Sequence, residues 1–388
     1  MPENPPLDRE LAARRGGKIP NFIRAIPARR GVDCFMNIGL VNDLSLALTA
    51  LRRVVESVPG HTVAWEARDG REALQCAQKN PPDIILMDLV MPVMDGAEAT
   101  REIMRRAPCP ILVVTASVTI NAAKVYEAMG FGALDAVRTP TLGPAGSLDG
   151  AAALLAKIER VALLSGKIKA RDTRNIFPAP ATPPAASASA DKSKLPPLLA
   201  IGASTGGPQA LAAILEKLPK PFPAPIVLVQ HVDVEFAPGL AQWLADRTGH
   251  AVVTARAGVA FEPGQVYLAS TADHLVVDAA SHAAYTPLPR ELAYRPSVDV
   301  FFRSLAQHWA GPGVAVVLTG MGRDGAAGLK QLRERGWKTI AQGPKTSIVY
   351  GMPKAAADLG AAEKILELPE IAPALTAHFQ VSRSAGKR

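Results

Sequence analysis

Short apolar runs, each followed by an amphipathic stretch, recur along most of this chain. From Met36 to about Pro140 they read IGLV, VAWEA, DIILMD, PILVVTA and LDAV. The stretches after them, such as LSLALTALRRVVESV and DGAEATREIMRRA, place apolar residues at helical spacing. Five strands alternating with helices point to a doubly wound parallel sheet. Residues 166–195 break the pattern with the Pro/Ala/Ser-rich FPAPATPPAASASADKSK, which cannot bury a core and reads as a linker. From Leu198 the alternation resumes with LLAI, PIVLVQ, VYLA, HLVV, VAVVLTG and KTIAQ, a second α/β domain with some antiparallel strands in its middle.

A chain of 388 residues is too long for one ordinary core, and its 31 Gly and 34 Pro fit many turns and a linker. The expected division is an N-terminal segment at 1–35, a first domain at 36–141, a helix and linker at 142–195, and a second domain at 196–381. Cys34, Cys76 and Cys109 have no metal-like spacing and no even pairing, which fits a reducing cytoplasm. No apolar run approaches the roughly 18 residues that span a bilayer. The net charge of +8 is densest in the first 30 residues, from Arg9 to Arg30. A basic nucleic-acid arm is one reading, but the segment has no aromatic interleaving and no DNA-binding motif. A poorly ordered tail, or an upstream start before Met36, is the other.

The ends of the strands carry the chemistry. In the first domain Asp88 ends DIILMD, Asn42-Asp43 follow IGLV and Thr115 ends PILVVT. In a parallel sheet these ends converge on one edge. Two carboxylates there suit a hard divalent cation such as Mg²⁺, and the Thr115 hydroxyl suits an anion beside it.

The second domain opens on GASTGG, where a strand meets a helix through a glycine-rich turn. Such a turn either exposes a nucleophilic serine or cradles an anion. His231 follows the buried run PAPIVLVQ, and Asp324 follows VAVVLTG in the turn GMGRDG. Three separated strands thus deliver a serine, a histidine and an aspartate to one edge, which favours a nucleophile–base–acid set. The glycines of TGMGRDG suit an oxyanion hole. The order Ser204, His231, Asp324 is not that of an α/β-hydrolase, and no Lys follows the glycines as a P-loop requires. His274 opens a strand and reads as structural. His250, His282, His308 and His378 read as solvated or capping.

LMDLVMPVMDG resembles the response-regulator receiver signature, across residues 36–141. The resemblance implies that Asp88 accepts phosphate from a histidine kinase, that Asp43, Asp88 and the Val90 carbonyl ligate Mg²⁺, and that Thr115 reads the phosphate. Two departures stand out. Asn42 replaces the first of two acidic residues, and Thr139 stands where a Lys-Pro motif places Lys. Arg138 is one residue early, and strand alternation points it to the other face.

GASTGGPQAL, VLVQH, RPSVDVFFRSLA, VVLTGMGRDGAAGL and IVYGMPKAA resemble the catalytic domain of the CheB chemotaxis protein-glutamate methylesterases, across residues 196–370. VNDLSLA and ALDAVRTP are similar to the WspF subgroup, which serves a surface-sensing system. The resemblance implies a Rossmann-like second domain with Ser204 as nucleophile, His231 as base and Asp324 as acid. It implies that Thr205 helps place the imidazole and that the Met321 N–H lies in the oxyanion hole. It further implies hydrolysis of glutamyl methyl esters, or deamidation of Gln, on a methyl-accepting chemoreceptor-like protein. A CheA-type kinase is the implied phosphodonor, the hydrolysis itself needs no cofactor, and the chain is expected to be monomeric. The unphosphorylated receiver is expected to pack over the active site until Asp88 is phosphorylated. VDVEFAPGL replaces the usual Pro-Pro-Gly turn after His231, which implies altered substrate docking. An adaptor or brake without turnover, and an anion-binding regulator, are the alternative readings.

Overall fold

The computed structural model describes residues 35–117, 121–143, 148–164, 195–292 and 294–385. Residues 1–34 of the N-terminal segment and nearly all of the Pro/Ala/Ser-rich stretch lie outside the described residues. The first sheet is built from β1 (Met36–Val41), β2 (His61–Ala67), β3 (Ile84–Met87), β4 (Ile111–Thr115) and β5 (Asp135–Arg138). Its order is β2-β1-β3-β4-β5, parallel throughout. The crossovers are α1 (Ser45–Glu56), α2 (Gly70–Lys79), α3 (Gly96–Arg106) and α4 (Ala122–Gly130). After β5 a small antiparallel pair, β6 (Thr141–Leu142) and β7 (Leu148–Asp149), leads into α5 (Ala151–Leu164).

Strand alternation assigns the two faces. Ile38, Leu40, Ile84, Leu86, Leu112 and Val114 pack with Leu51 and Val54 of α1 and with Leu154, Ile158 and Val161 of α5. The intervening Val41, Ile85, Met87 and Val113 face the layer of α2, α3 and α4. The helix expected after residue 142 is α5, and it packs on the first sheet. Its apolar stripe is what closes that face of the sheet.

The second domain has a seven-stranded parallel sheet. In chain order its elements are β8 (Leu198–Ala203), α6 (Gly207–Leu215), β9 (Ile226–Gln230), α7 (Ala237–Thr248), β10 (Ala251–Thr254) and β11 (Gln265–Leu268). The antiparallel hairpin β12 (His274–Val277) and β13 (Ala283–Thr286) follows, then α8 (Val298–His308), β14 (Gly313–Val317) and α9 (Ala326–Glu334). The domain ends with β15 (Lys338–Gln342), α10 (Met352–Asp358), β16 (Lys364–Leu366) and α11 (Leu368–Ala385). The sheet order β10-β11-β9-β8-β14-β15-β16 reverses direction between β8 and β14. Such a switch point opens a crevice at the carboxyl ends of the strands. Among the described residues, no helix is long and apolar enough to cross a membrane.

Both sheets belong to one compact unit, and α4, β5 and α5 of the first domain face α7 and the loop after β9. A Cβ on Gly239 of α7 would collide with the Ala122 methyl of α4, so the helices touch because that position has no side chain. Tyr126 of α4 packs at a tilt against Trp243 and donates its hydroxyl to the Phe236 carbonyl at 2.9 Å. The ammonium of Lys157 from α5 bonds Asp135 at 3.0 Å and reaches Asp233 of the second domain at 3.2 Å. Arg138 and Glu235 pair at 3.6 Å nearby. We expect Gly239→Leu to separate α4 from α7 without unfolding either domain. Amide exchange should rise along α4 and α7 while the strands stay protected; unchanged protection of both helices would contradict the contact.

Candidate active site

The turn after β8 is tight because Gly206 adopts φ 77°, a left-handed conformation that only glycine reaches without strain. The Ser204 N–H donates to the Thr319 carbonyl at 3.0 Å, tying this turn to the one after β14. The pairing of Ala203 with Gln230 places the next residues, Ser204 and His231, side by side at the strand ends. Gln230 Nε2 fixes that register by donating to the Ser204 carbonyl at 2.8 Å and the His231 carbonyl at 3.1 Å.

Asp324 approaches from the turn after β14, and its Oδ2 lies 2.7 Å from His231 Nε2. The same carboxylate accepts from Ser297 Oγ at 2.7 Å, the Val298 N–H at 2.7 Å and the Asp299 N–H at 3.0 Å. It therefore sits on the N-terminus of α8, where the helix dipole favours negative charge. Burial pushes the carboxyl up, but the bond and charge of His231, the Asp299 amide and the Ser297 hydroxyl outweigh it and hold it below the usual carboxylate range. Asp299 is driven the other way, to about 7, by burial and then by the charge of Asp324.

An ionised carboxylate can only accept, so Nε2 carries a proton, and in the uncharged form of the ring Nδ1 is the nitrogen left with a lone pair. His231 Nδ1 is buried without a hydrogen-bond partner. Among the described residues no hydrogen bond yet joins it to Ser204 or Thr205; apo sites are often slack in this way. Thr205 instead holds its turn, its carbonyl accepting from Thr319 Oγ1 at 2.9 Å. Met321 follows Gly320, whose backbone lies against Ser204. A serine beside an imidazole backed by a buried carboxylate is the arrangement of nucleophilic acyl chemistry.

Ser204, Thr205 and His231 share a cavity with Tyr126, Met129 and Asp135 of the first domain. Its volume is about 10 Å³, no more than a single water needs. The segment after His231 supplies Asp233, Glu235 and Phe236 to the domain contact, which gives the unusual VDVEF sequence a use.

At the other switch point Asp88 is 8% exposed at the end of β3. Burial, and then the nearby charge of Asp43, push its carboxyl up to about 6 despite the Leu89 amide at 2.8 Å. That crowding of negative charge fits a divalent cation. Among the described residues no three His, Cys, Asp or Glu side chains cluster, so Asp43, Asp88 and a backbone carbonyl such as that of Val90 are the donors available. Few protein ligands plus water is what Mg²⁺ prefers. Thr115 is fully buried, its hydroxyl accepting from Asn121 Nδ2 at 3.0 Å. Asn42 is buried and turns the loop by accepting from the Leu44 N–H. Arg138 does point away, toward Glu235, while the Thr139 hydroxyl is buried without a partner among the described residues.

His274 is buried between the Pro289 carbonyl and the Ser297 amide, a structural place as expected. Of the two places expected for His250, solvated or capping, it takes the second: it is 5% exposed and bonds the carbonyl of Leu215, the last residue of α6, at 3.0 Å.

Two family models match the chain: CheB methylesterase over residues 199–375 and response regulator receiver domain over residues 38–141. A Burkholderia thailandensis protein-glutamate methylesterase/protein-glutamine glutaminase is 55% identical over 348 residues, covering 90% of this chain and 99% of that one. The chain belongs to the CheB methylesterase family. A Burkholderia pseudomallei relative of the same designation is 54% identical over 90% of this chain and 99% of its own length. The crystal structure of the Thermotoga maritima CheB methylesterase catalytic domain matches with a TM-score of 0.45 and 35% identity, covering 47% of this chain and 98% of that one.

Sequence reading left Gln230, Ser297 and Asn121 without a role in this CheB-family chain. Ser297 had a signal, since a Ser just before VDVFFRSL is a helix N-cap, but its bond to Asp324 depends on tertiary folding. Ser297→Ala should lower stability by about 1 to 2 kcal/mol, the value of a bond to a buried carboxylate plus a cap. Thermal unfolding checks this, and an unchanged midpoint would contradict it. For Asp88, a folded-state pKa above the ordinary 3.8 means that ionisation opposes folding. The penalty is full above about pH 6 and fades toward the ordinary pKa. Asp88→Asn should thus stabilise the metal-free protein by about 3 kcal/mol at pH 8 and about half that at pH 5, and added Mg²⁺ should shrink the gain.

Proposed function

We propose that this chain is a phosphorylation-regulated protein-glutamate methylesterase of the WspF type. Its substrates are glutamyl γ-methyl esters on a methyl-accepting chemoreceptor-like protein, and the same acyl chemistry deamidates Gln at such positions. The observation that carries the reading is the His231–Asp324 pair at a strand end next to that of Ser204, with Nδ1 left unpartnered among the described residues.

Ser204 Oγ attacks the ester carbonyl and gives its proton to His231 Nδ1. Asp324 stabilises the resulting imidazolium through Nε2, so the ring is used the other way round from the template in which Nδ1 faces the acid. The oxyanion forms beside the Gly320–Met321 turn, where the Met321 N–H donates; losing one such donor costs on the order of 3 kcal/mol of transition-state stabilisation. Collapse expels methoxide, which takes the proton from Nδ1 and leaves as methanol. A water deprotonated by the same nitrogen attacks the acyl group on Ser204, freeing glutamate and restoring the serine.

A cavity of about 10 Å³ cannot admit a glutamyl side chain, so turnover requires the receiver to move. Asp88 takes phosphate from a CheA-type kinase in the cytoplasm. Asp43, Asp88 and the Val90 carbonyl would hold Mg²⁺, which when bound neutralises charge on the phosphate. Thr115 then turns its hydroxyl to the phosphoryl group and releases Asn121, the residue that starts α4. Because α4 carries Ala122 and Tyr126 into the contact with α7, a shift of its first turn loosens the docked face. No nucleic acid takes part, and the chain works as a monomer.

Ser204→Ala should abolish methanol release from the methylated receptor while leaving the unfolding midpoint within a few degrees. Unchanged release would remove the serine mechanism and favour the adaptor reading. Asp88→Asn should end labelling by acetyl phosphate, and labelling that persists would mean another acceptor.

A further inference from the structure

The ring of Tyr294 lies flat on the imidazole of His231, with centroids 4.1 Å apart and planes 5° from parallel. The imidazole needs such a partner. Its bond to Asp324 fixes one atom, Nε2, and by itself sets the tilt of the plane about the Cβ–Cγ bond only loosely. Among the described residues no second hydrogen bond stops that rotation, because Nδ1 has no partner there. A stacked ring stops it: it fixes the plane and competes for neither nitrogen.

Tyr294 is itself well placed to do this. Three residues on, Ser297 binds Asp324, and so does the Val298 amide, so one short segment at the start of α8 holds both imidazole and carboxylate. From the receiver, the guanidinium of Arg160 lies over the Tyr294 ring at 4.9 Å and is 3.9 Å from the Asp135 carboxylate.

We propose that Tyr294 is a positioning residue for His231, its ring holding the imidazole plane so that Nε2 stays on Asp324 and Nδ1 stays turned to Ser204. The proposal rests on the reading of Ser204 and His231 as nucleophile and base. It identifies the face of the ring as the working part and gives the phenol hydroxyl no role.

The test compares Tyr294→Phe, which keeps a planar ring, with Tyr294→Leu, which keeps apolar bulk and loses the plane. Both are made in the full chain and assayed with acetyl phosphate present. Phe should stay within about twofold of the wild-type kcat. Leu should lose roughly tenfold or more in kcat, with KM changed less than about twofold, as expected for a misaligned base. Histidine ¹⁵N spectra give a second readout: a single Nε2–H tautomer for His231 in the wild type and the Phe variant, and a mixture in the Leu variant. Tyr294→Met repeats the comparison if the Leu variant does not fold. A folded Leu or Met variant with wild-type kcat and a single tautomer overturns the proposal, as does an equal loss in Phe. If the wild type releases no methanol, the methylesterase reading falls and the spectra alone decide: mixed tautomers in Leu uphold the positioning role, and one tautomer overturns it.

Discussion

One buried charge organises the catalytic domain. Taking a carboxylate out of water is penalised by several kcal/mol unless hydrogen bonds and an opposite charge replace the solvent. Asp324 meets that demand with the N-terminus of α8, the Ser297 hydroxyl and the His231 ring. The turn after β14 is thereby locked to α8, and the proton on the imidazole is locked to Nε2. Which nitrogen of the ring is left without the carboxylate thus follows from where a helix begins. The neighbouring Asp299 shows the other side of the same constraint, its carboxyl pushed to about 7 in a site that holds one negative charge comfortably.

The two domains solve the same topological problem twice. Each sheet changes winding direction once, and each places polar residues at the carboxyl ends of the strands flanking that point. In the receiver this gathers Asp43 and Asp88; in the second domain it gathers Ser204, His231 and the turn before Asp324. The domains then meet through α4, β5 and α5, so the structure connects one strand edge to the other. Lys157 is the polar centre of that contact. Burial alone would disfavour its charge, but Asp135 and Asp233 outweigh the penalty and keep the ammonium protonated.

Much of this was legible in the sequence, for a physical reason. A parallel strand covered on both faces must be apolar along its whole length, so IILM, ILVVT, IVLVQ and GVAVV announce themselves and the residues after them mark the site. Thr139 and Arg138 were also readable, because strand alternation alone sends them to opposite faces. The short edge strands AVVT and KIL were not, since half-exposed segments of three or four residues carry little pattern. Tyr294 and Ser297 escaped because their partners lie on other elements, far away in sequence. The docked face depends on a glycine at 239 meeting an alanine at 122, a match of shapes that no local pattern records.

The narrow cavity beside Ser204 has a thermodynamic consequence. If substrate enters only when the domains part, measured turnover is the open enzyme's rate multiplied by the open fraction. Each 1.4 kcal/mol or so of docking free energy then divides the resting rate by ten. The contact mixes two kinds of term: apolar packing around Tyr126, and ion pairs such as Arg138–Glu235 whose side chains are 63% and 51% exposed. Exposed pairs are weakened by salt, while apolar packing is not. The resting leak of the enzyme is therefore a property of the interface and its ionic surroundings, adjustable by surface substitutions that never touch Ser204, His231 or Asp88.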